Sequence, residues 1–404
     1  MDPGYLRTEQ FREAFGISRE IRAIVIDHNH LHVIPDGDGS QASAQQIRNS
    51  IVRNDDAEGR VFHKSLNKDK HFHWICYLCL YMSITVITPF FKVAPFIERC
   101  ATALMEQTLR DVEFIFVDDA SPDESRAILE KVIEKYPDRR ARIVTHEVNK
   151  GLPAARNTGL AEATGEFVYH CDSDDWPETD MLEKMYKAAV DNGADYIYCD
   201  FWMQFEKSAR YMVTPDYTDP EQMIKEGFMA GLMKYNVWNK LVKRSLYEGL
   251  SFPDGHGMGE DMTMILVATR ATRTARVPEP LYHYVKLNAN AFSNTFSERH
   301  LVDIRFNTDR TLRGLETWDV PDKDLYINFF KLNIKLPFLL SGDKSQYRLW
   351  KEWFPESDKY VMENRHLPFR TRLVQWFAAK RLFPLVGLYD FLVNKVYYGL
   401  KFRT

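Results

Sequence analysis

The chain has 404 residues, of which 45% are hydrophobic and 27% charged, and its formal net charge is −4. This composition excludes a wholly disordered chain and leaves room for one large domain with appendages or for two ordinary domains. The near balance of charge excludes a protein that holds nucleic acid through an overall basic surface, so we expect no nucleic-acid partner.

Residues 1–81 differ from the rest of the chain, because they hold polar and charged runs with little sustained apolar periodicity. We predict a poorly structured N-terminal extension here, and translation from Met82 is one hypothesis for its origin. His28, His30 and His32 would share one face of a strand and could bind a metal. An exposed His-rich segment without a ligand is the interpretation we favour.

The chain contains five cysteines, an odd number, most of them in apolar runs. Cys76 and Cys79 have the spacing of a redox or zinc half-motif, but no second pair of thiols accompanies them, and we favour reduced, buried thiols. We find neither a secretory signal nor an apolar run of about 20 residues, the length that spans a bilayer. We therefore expect a cytoplasmic protein, free or associated with the cytoplasmic face of the inner membrane.

From residue 83 onward, β-branched apolar runs alternate with helical periodicity. Strands are predicted at 83–88, 112–117, 141–145, 166–170 and 195–199. Helices are predicted between them at 95–107, 121–135, 151–164 and 177–191, with Ser121 as the N-cap of the second. This alternation predicts an α/β fold with a mostly parallel sheet covered on both faces, which binds ligands beyond the carboxyl ends of its strands.

Two acidic motifs follow predicted strands: Asp118-Asp119 and Asp172-Ser173-Asp174-Asp175. Three carboxylates within four residues repel one another unless a cation offsets their charge. Oxygen ligands on a loop suit Mg²⁺ or Mn²⁺. A turn with solvated carboxylates is the alternative.

Four segments of the chain resemble motifs of the family 2 glycosyltransferases of GT-A fold. The resemblance extends to their residue identities, their order and their spacing. The segments are 83–90 (SITVITPF), 114–123 (FIFVDDASPD), 149–159 (NKGLPAARNTG) and 172–175 (DSDD). The resemblance covers about residues 83–285 and implies a Rossmann-like GT-A domain. The implied boundaries are 82–295 for that domain (donor half 82–200, acceptor half 201–295) and 296–404 for a helical C-terminal region.

The resemblance implies a pocket for the nucleotide base at the end of the first strand. Thr88, Pro89 and Phe90 would line it for uracil. Asp118 would accept a hydrogen bond from the base, with Asp119 supporting it, because an ionised carboxylate is an acceptor for an imide N–H. The residue after Phe90 is Phe91, whereas Asn is common at this position in the family.

The resemblance also implies how the rest of the donor is held. Arg156, in a helix opened by Gly151, would face the nucleotide phosphates. Asp172 would approach the ribose. Asp174, with Asp172 as a second ligand, would hold Mn²⁺ or Mg²⁺ on the diphosphate.

Glu260 and Asp261 open an apolar helical run and resemble the family's Glu-Asp motif. The resemblance implies that Asp261 is the general base, with Glu260 beside it in the acceptor pocket. From the residues alone, a charge pair stabilised at a helix N-terminus is the alternative. Lys240 would help neutralise the diphosphate or an acceptor phosphate. His283 would touch the leaving diphosphate or serve as a structural histidine.

The C-terminal region is predicted to be helical and aromatic-rich. Between residues 365 and 404, eight Lys and Arg residues face a single acid, Asp390. Such a basic, amphipathic segment can lie in an anionic membrane interface, and we expect peripheral membrane contact there. A helical pair that packs on the catalytic domain with solvated charges is the alternative.

The implied activity is that of an inverting glycosyltransferase. It would move a sugar from a UDP-sugar to a hydroxyl of a glycan or lipid-linked acceptor, in the biosynthesis of a cell-surface polysaccharide. A sugar nucleotidyltransferase and a non-catalytic glycan- or nucleotide-binding relative are the alternatives. A nicotinamide-dependent oxidoreductase is set aside, because no G-x-G-x-x-G motif follows the first strand.

Overall fold

The structure is a computed structural model that describes residues 83–286, 297–341 and 343–391, together with the backbone of strands between residues 21 and 76. The chain divides into two compact units, Met1–Tyr81 and Met82–Thr404.

In the first unit, four strands pair in the order β1-β2-β4-β3. They are β1 (Ile21–Asp27), β2 (His30–Pro35), β3 (Phe62–Leu66) and β4 (Phe72–Cys76). Strands β1 and β2 form an antiparallel pair, and the β-branched residues of β1 (IRAIVID) favour a strand. The predicted domain boundaries, with a poorly structured extension over residues 1–81, stay predictions. His28 and Cys79, from the two motifs considered for metal binding, lie outside the described residues.

The second unit is built on a nine-stranded sheet in the order β7-β6-β5-β8-β12-β10-β13-β9, with β11 paired to β10. The strands are β5 (Ile84–Phe90), β6 (Val112–Asp118), β7 (Arg140–Thr145), β8 (Phe167–His170), β9 (Trp176–Pro177), β10 (Tyr196–Gln204), β11 (Ala209–Met212), β12 (Lys240–Lys243) and β13 (Thr274–Val285). Strands β5 to β8 pair in parallel, whereas β12 runs antiparallel to β8 and to β10. The predicted α/β class is therefore confirmed, with parallel pairing in the donor half and mixed pairing beyond it.

Helices flank the sheet and form the C-terminal region. They are α1 (Ala94–Met105), α2 (Ser125–Glu134), α3 (Leu152–Glu162), α4 (Met181–Asn192), α5 (Thr263–Ala268), α6 (Glu298–Gly314), α7 (Lys323–Lys335), α8 (Pro337–Leu340), α9 (Tyr347–Glu352), α10 (Phe369–Ala379) and α11 (Phe383–Asp390). A π-helix, Met223–Met229, precedes β12. Within the described ranges, none of the helices combines the length and apolarity needed to cross a bilayer.

The second helix begins later than its sequence signals predict. Ser121 was the expected N-cap, but α2 begins at Ser125. The Asp123 carboxylate accepts hydrogen bonds from the Ser121 hydroxyl at 2.7 Å and from the Ser125 hydroxyl at 2.6 Å. These bonds stabilise a turn before the helix. Asp and Ser side chains near a helix start can form such local bonds instead of capping the helix.

Strand β5 lies in the middle of the donor half and is buried along its whole length. This position explains its unbroken apolar run, since a strand covered on both faces needs no polar alternation. Helix α3 packs closely on it at Gly159, where a Cβ would collide with the Ile87 side chain. The close approach brings Arg156, one turn earlier on α3, next to the carboxyl ends of the strands.

Candidate functional site

The motifs found in the sequence meet at one edge of the sheet. Strands β5, β6 and β8 run parallel, with Phe90 paired to Asp118 and Ile87 paired to His170. Their carboxyl ends therefore lie side by side, and the acidic residues that follow β6 and β8 come together there.

The end of β5 forms a buried floor next to Asp118. Thr88, Pro89 and Phe90 are all buried, and the Thr88 hydroxyl has no hydrogen-bond partner among the described residues. Asp118 is also buried, and its Oδ1 accepts a hydrogen bond from the Ser121 backbone N–H at 2.8 Å. Its Oδ2 lies 3.7 Å from Arg126 Nη1 in an ion pair but accepts no hydrogen bond within the described part of the chain, so acceptor capacity remains for a ligand N–H.

Asp119 holds the loop that leads into α3. Its carboxylate accepts hydrogen bonds from the backbone N–H groups of Lys150 and Gly151, both at 2.8 Å. His146 links Asp119 to α3, since its Nδ1 lies 2.7 Å from Asp119 Oδ1 and its Nε2 lies 2.8 Å from Thr158 Oγ1. Asp119 therefore positions the chain. Sequence reasoning missed His146, because a lone histidine after a strand carries no signal of its own.

Arg156 on α3 bridges two carboxylates from distant parts of the chain. Its side chain is 2% exposed; Nη1 donates a hydrogen bond to Glu260 Oε1, and Nη2 donates one to Asp172 Oδ1 at 2.9 Å. Burial lowers the pKa of Arg156, but the two carboxylates outweigh burial and raise that pKa above its ordinary value. Nη1 and Nη2 each engage one protein carboxylate, so Arg156 ties the acceptor half to the acidic turn. Its expected contact with the nucleotide phosphates stays a prediction.

The acidic turn contains one buried and two partly exposed carboxylates. Asp175 is 1% exposed; it accepts hydrogen bonds from the Tyr282 hydroxyl at 2.8 Å and from the Val285 backbone N–H at 2.7 Å. Burial, with the neighbouring carboxylates adding to it, raises the pKa of Asp175 well above its ordinary value. Asp172 and Asp174 are partly exposed. Asp175 therefore fastens the turn to β13 and leaves the other two carboxylates at the surface of the site.

The two partly exposed carboxylates of the acidic turn, Asp172 and Asp174, have the oxygen ligands that a hard divalent ion prefers. In the described ranges, no group of three or more His, Cys, Asp or Glu side chains is arranged to hold a metal by itself. Mg²⁺ at nucleotide sites uses one or two carboxylates and completes its coordination with phosphate oxygens and water, and Mn²⁺ favours the same ligand types. Two carboxylates at a turn match that requirement, although Asp172 Oδ1 is shared with Arg156.

Glu260 and Asp261 follow Gly259, whose φ of 83° lies in the left-handed region, and begin a 3₁₀ turn before α5. Burial raises the pKa of Glu260, against the opposing pull of Arg156. Asp261 is partly exposed, and its carboxylate has no hydrogen bond or ion pair with any residue in the described ranges. Burial raises its pKa, while Arg156 and Lys240 oppose the shift. Asp261 thus has the free carboxylate that a general base needs.

Helix α6 supports the loop in front of Gly259. His256 Nδ1 lies 3.1 Å from Asp303 Oδ1, and the Met258 backbone N–H donates to Asp303 Oδ2 at 3.4 Å. The Asn307 amide donates to the backbone carbonyl of Met258 at 3.0 Å. No signal in the sequence identifies Asp303 and Asn307, because α6 contains many polar and charged residues. Only the folded chain shows which of them contact the loop.

Lys240 is held by the loop before β12. It is buried, and its ammonium donates hydrogen bonds to the carbonyls of Lys234 and Asn236, at 3.1 and 2.6 Å, and to Asn239 Oδ1 at 2.9 Å. Burial lowers the pKa of Lys240 to about 7, although Asp261 opposes the shift. With three acceptors for its three N–H groups, Lys240 holds the loop before β12, and its assignment to the diphosphate stays a prediction.

His283 is a structural residue within a stack of side chains. Its ring stacks on Trp176 with a centroid distance of 4.5 Å, and the Arg99 guanidinium lies 3.6 Å from the centre of the Trp176 ring. Its two nitrogens lie 2.7 Å from Gln204 Nε2 and 2.7 Å from Glu178 Oε1. Both nitrogens are thus engaged within the protein, as in a structural histidine.

Known proteins are similar in sequence to this chain. Residues 85–264 match the family model described as glycosyl transferase family 2. The chain is 34% identical over 213 residues to the uncharacterized glycosyltransferase EpsJ of Bacillus subtilis (strain 168), an alignment that covers 50% of this chain but only 60% of EpsJ. It is 32% identical over 239 residues to the uncharacterized glycosyltransferase YibD of Escherichia coli (strain K12), which covers 55% of this chain and 68% of YibD.

The fold is similar to a solved structure as well. A crystal structure of Staphylococcus aureus TarS residues 1–349, in complex with UDP-GlcNAc, superposes with a TM-score of 0.57 at 18% identity. The match covers 78% of this chain and 92% of that one. The likeness confirms the predicted GT-A fold class.

Proposed function

We propose a donor, an acceptor class and a mechanism for this chain, which belongs to glycosyl transferase family 2. The proposed reaction moves a sugar from a UDP-sugar to a hydroxyl group of a glycan or lipid-linked acceptor, in the biosynthesis of a cell-surface polysaccharide. The choice of UDP is supported by TarS, whose fold this chain resembles and which was solved with UDP-GlcNAc bound.

The observation that carries this proposal is an unpaired carboxylate held beside the acidic turn. Glu260 and Asp172 bind the same Arg156 guanidinium, although 104 residues separate Glu260 from Arg156 in the sequence. Asp261 directly follows Glu260 and has no protein partner in the described ranges. This arrangement supports the proposal that Asp261 acts as the base for the acceptor, next to the carboxylates that would hold the donor.

In the proposed mechanism, Asp261 activates the acceptor. A sugar hydroxyl is a poor nucleophile, and Asp261 would take its proton as the new bond forms. Burial raises the pKa of Asp261, which makes the ionised carboxylate a stronger base than an exposed aspartate. The acceptor oxygen attacks the anomeric carbon from the side opposite UDP, so the configuration inverts. The bond between the anomeric carbon and the β-phosphate oxygen breaks, and its electrons leave with UDP.

The acidic turn would hold the departing diphosphate. Asp174, with Asp172, would bind Mg²⁺ or Mn²⁺, which would supply Lewis-acid stabilisation of the charge that develops there. The chain's own part is positional. Asp175 fastens the turn to β13, and Arg156 fixes the Asp172 carboxylate. Groups fixed before the reaction need no reorganisation as charge develops, which is how a site of this kind lowers a barrier.

We place the reaction in the cytoplasm. The cysteines Cys100, Cys171 and Cys199 are buried free thiols. The sulfur atoms of Cys100 and Cys171 lie 3.9 Å apart without forming a disulfide, and such thiol pairs persist in reducing compartments.

A panel of nucleotide sugars tests the proposed function. Purified protein is mixed with Mn²⁺ and each sugar nucleotide, and released nucleoside diphosphate is measured with and without glycan acceptors. We expect release from one or more UDP-sugars, loss of release on chelation, and loss in Asp174→Ala. Asp191→Ala, which removes an exposed acid from the end of α4, is the matched control and should behave as the wild type. Activity retained in Asp174→Ala would contradict the assignment of the metal ligand. Release only from sugar nucleotides with a base other than uracil would contradict the assignment of the donor.

A further inference from the structure

Helix α11, the last described helix, carries an exposed apolar face. Leu385, Leu388 and Phe391 are 40%, 52% and 51% exposed, and Leu382, just before the helix, is 40% exposed. At helical spacing these residues lie away from Val386, which is buried against the rest of the C-terminal region. A single exposed leucine needs no explanation, but several large apolar side chains in one short segment mark an interaction surface.

Basic side chains border this face. Lys380 and Arg381 precede it in the chain, and both are exposed. The Lys351 ammonium lies 4.6 Å from the centre of the Phe383 ring, at the start of α11. Lys344 packs beside the middle of the same helix. The border is thus positive on more than one side of the apolar residues.

A cleft lies next to Lys380. It has a volume of about 450 Å³, its apolar lining includes Met362 and Trp376, and its cations are Lys359 and Lys380. The two carboxylates of its lining already form ion pairs with lysines of α7, at 2.7 and 2.5 Å. The two cationic side chains are therefore the charges that remain for a ligand.

We propose that α11 and its basic border dock on an anionic lipid bilayer, with a lipid phosphate accommodated in the cleft beside Lys380. An anionic bilayer provides an apolar interior that can bind the leucines and negatively charged headgroups that can bind the lysines. A second copy of the chain fits less well, because a two-fold interface would set the same positive border against itself. The proposal goes beyond the transfer reaction and does not depend on it, since lipid binding needs no donor.

Vesicle co-sedimentation of the full chain, without donor, tests the proposal. Wild type is expected to sediment with vesicles of phosphatidylcholine and phosphatidylglycerol, and not with phosphatidylcholine alone. Leu385→Asn with Leu388→Asn should weaken binding at least tenfold, because the buried apolar area is lost. Lys344→Gln with Lys380→Gln should weaken it about 25-fold, because each basic residue near an anionic surface contributes roughly fivefold.

Val190→Asn is the matched control, because Val190 is an apolar helix residue with 63% exposure in the donor half, and it should bind vesicles as the wild type does. A thermal melt of each variant verifies folding, which these exposed positions should leave intact. Inorganic phosphate at millimolar concentration should not displace the protein from vesicles; full displacement would show a phosphate site in place of membrane docking. Vesicle binding by the double leucine variant at the wild-type level would overturn the proposal. So would a wild-type dimer that the same variant converts to a monomer without any vesicle binding.

Discussion

Replacing Lys240 by methionine changes the pH dependence of stability. Burial lowers the pKa of this lysine to about 7 in the folded chain, against an ordinary value of 10.5. Between these two values the unfolded chain binds one proton more than the folded chain. Lys240 therefore contributes a rise of roughly 1 kcal/mol per pH unit to the free energy of unfolding of the wild type, and Lys240→Met loses that contribution. The wild type should gain about 2–3 kcal/mol over the variant from pH 7 to pH 9.

Urea unfolding at pH 7, 8 and 9 measures this difference, and groups shared by both proteins cancel in it. At pH 7 the variant should already be less stable by about 1–3 kcal/mol, because the carbonyls around the ammonium lose their donors. Lys243→Met, at the exposed end of the same strand, is the matched control and should cost about 0–1 kcal/mol. A difference between wild type and Lys240→Met that stays constant from pH 7 to pH 9 would refute the reasoning.

Three further changes test the architecture of the site. Glu260→Ala leaves the buried Arg156 guanidinium without one of its two charged partners, so urea unfolding should report a loss of about 3 kcal/mol; no loss would mean that the ion pair is not formed. Tyr282→Phe removes the hydroxyl that binds the acidic turn, and should lower both stability, by about 1–2 kcal/mol, and metal-dependent release of UDP. Gly159→Ala forces a methyl group against Ile87, so the variant should lose about 1–3 kcal/mol in the same assay, and wild-type stability would argue against the close packing of α3 on β5.

The sequence predicts the donor half well because its signals are local. A strand such as β5 is a continuous β-branched run, and the acidic residues that follow β6 and β8 stand at carboxyl ends, where parallel strands place them together. The start of α2 is the local exception. There Asp123 competes with the helix for the hydroxyl and backbone groups around it.

The partners of buried charges are harder to predict, because they depend on long-range contacts. Arg156 has a guanidinium suited to phosphate, and nothing near it in sequence indicates that Glu260 and Asp172 engage both of its terminal nitrogens. Lys240 likewise has a charge suited to a diphosphate, and its sequence does not indicate that carbonyls of the loop before β12 surround its ammonium group.

The measurement that tests the proposed mechanism most directly compares Asp261→Asn with the wild type in two assays on the same protein. Sugar transfer from the UDP-sugar found active in the panel should fall by about 10²–10⁴-fold, because the acceptor loses its base. The affinity for UDP in the presence of Mn²⁺, measured by calorimetry, should stay within about twofold, because Asp261 is not assigned to the nucleotide or the metal. Transfer at the wild-type rate in Asp261→Asn would contradict the assignment of the base and the mechanism built on it.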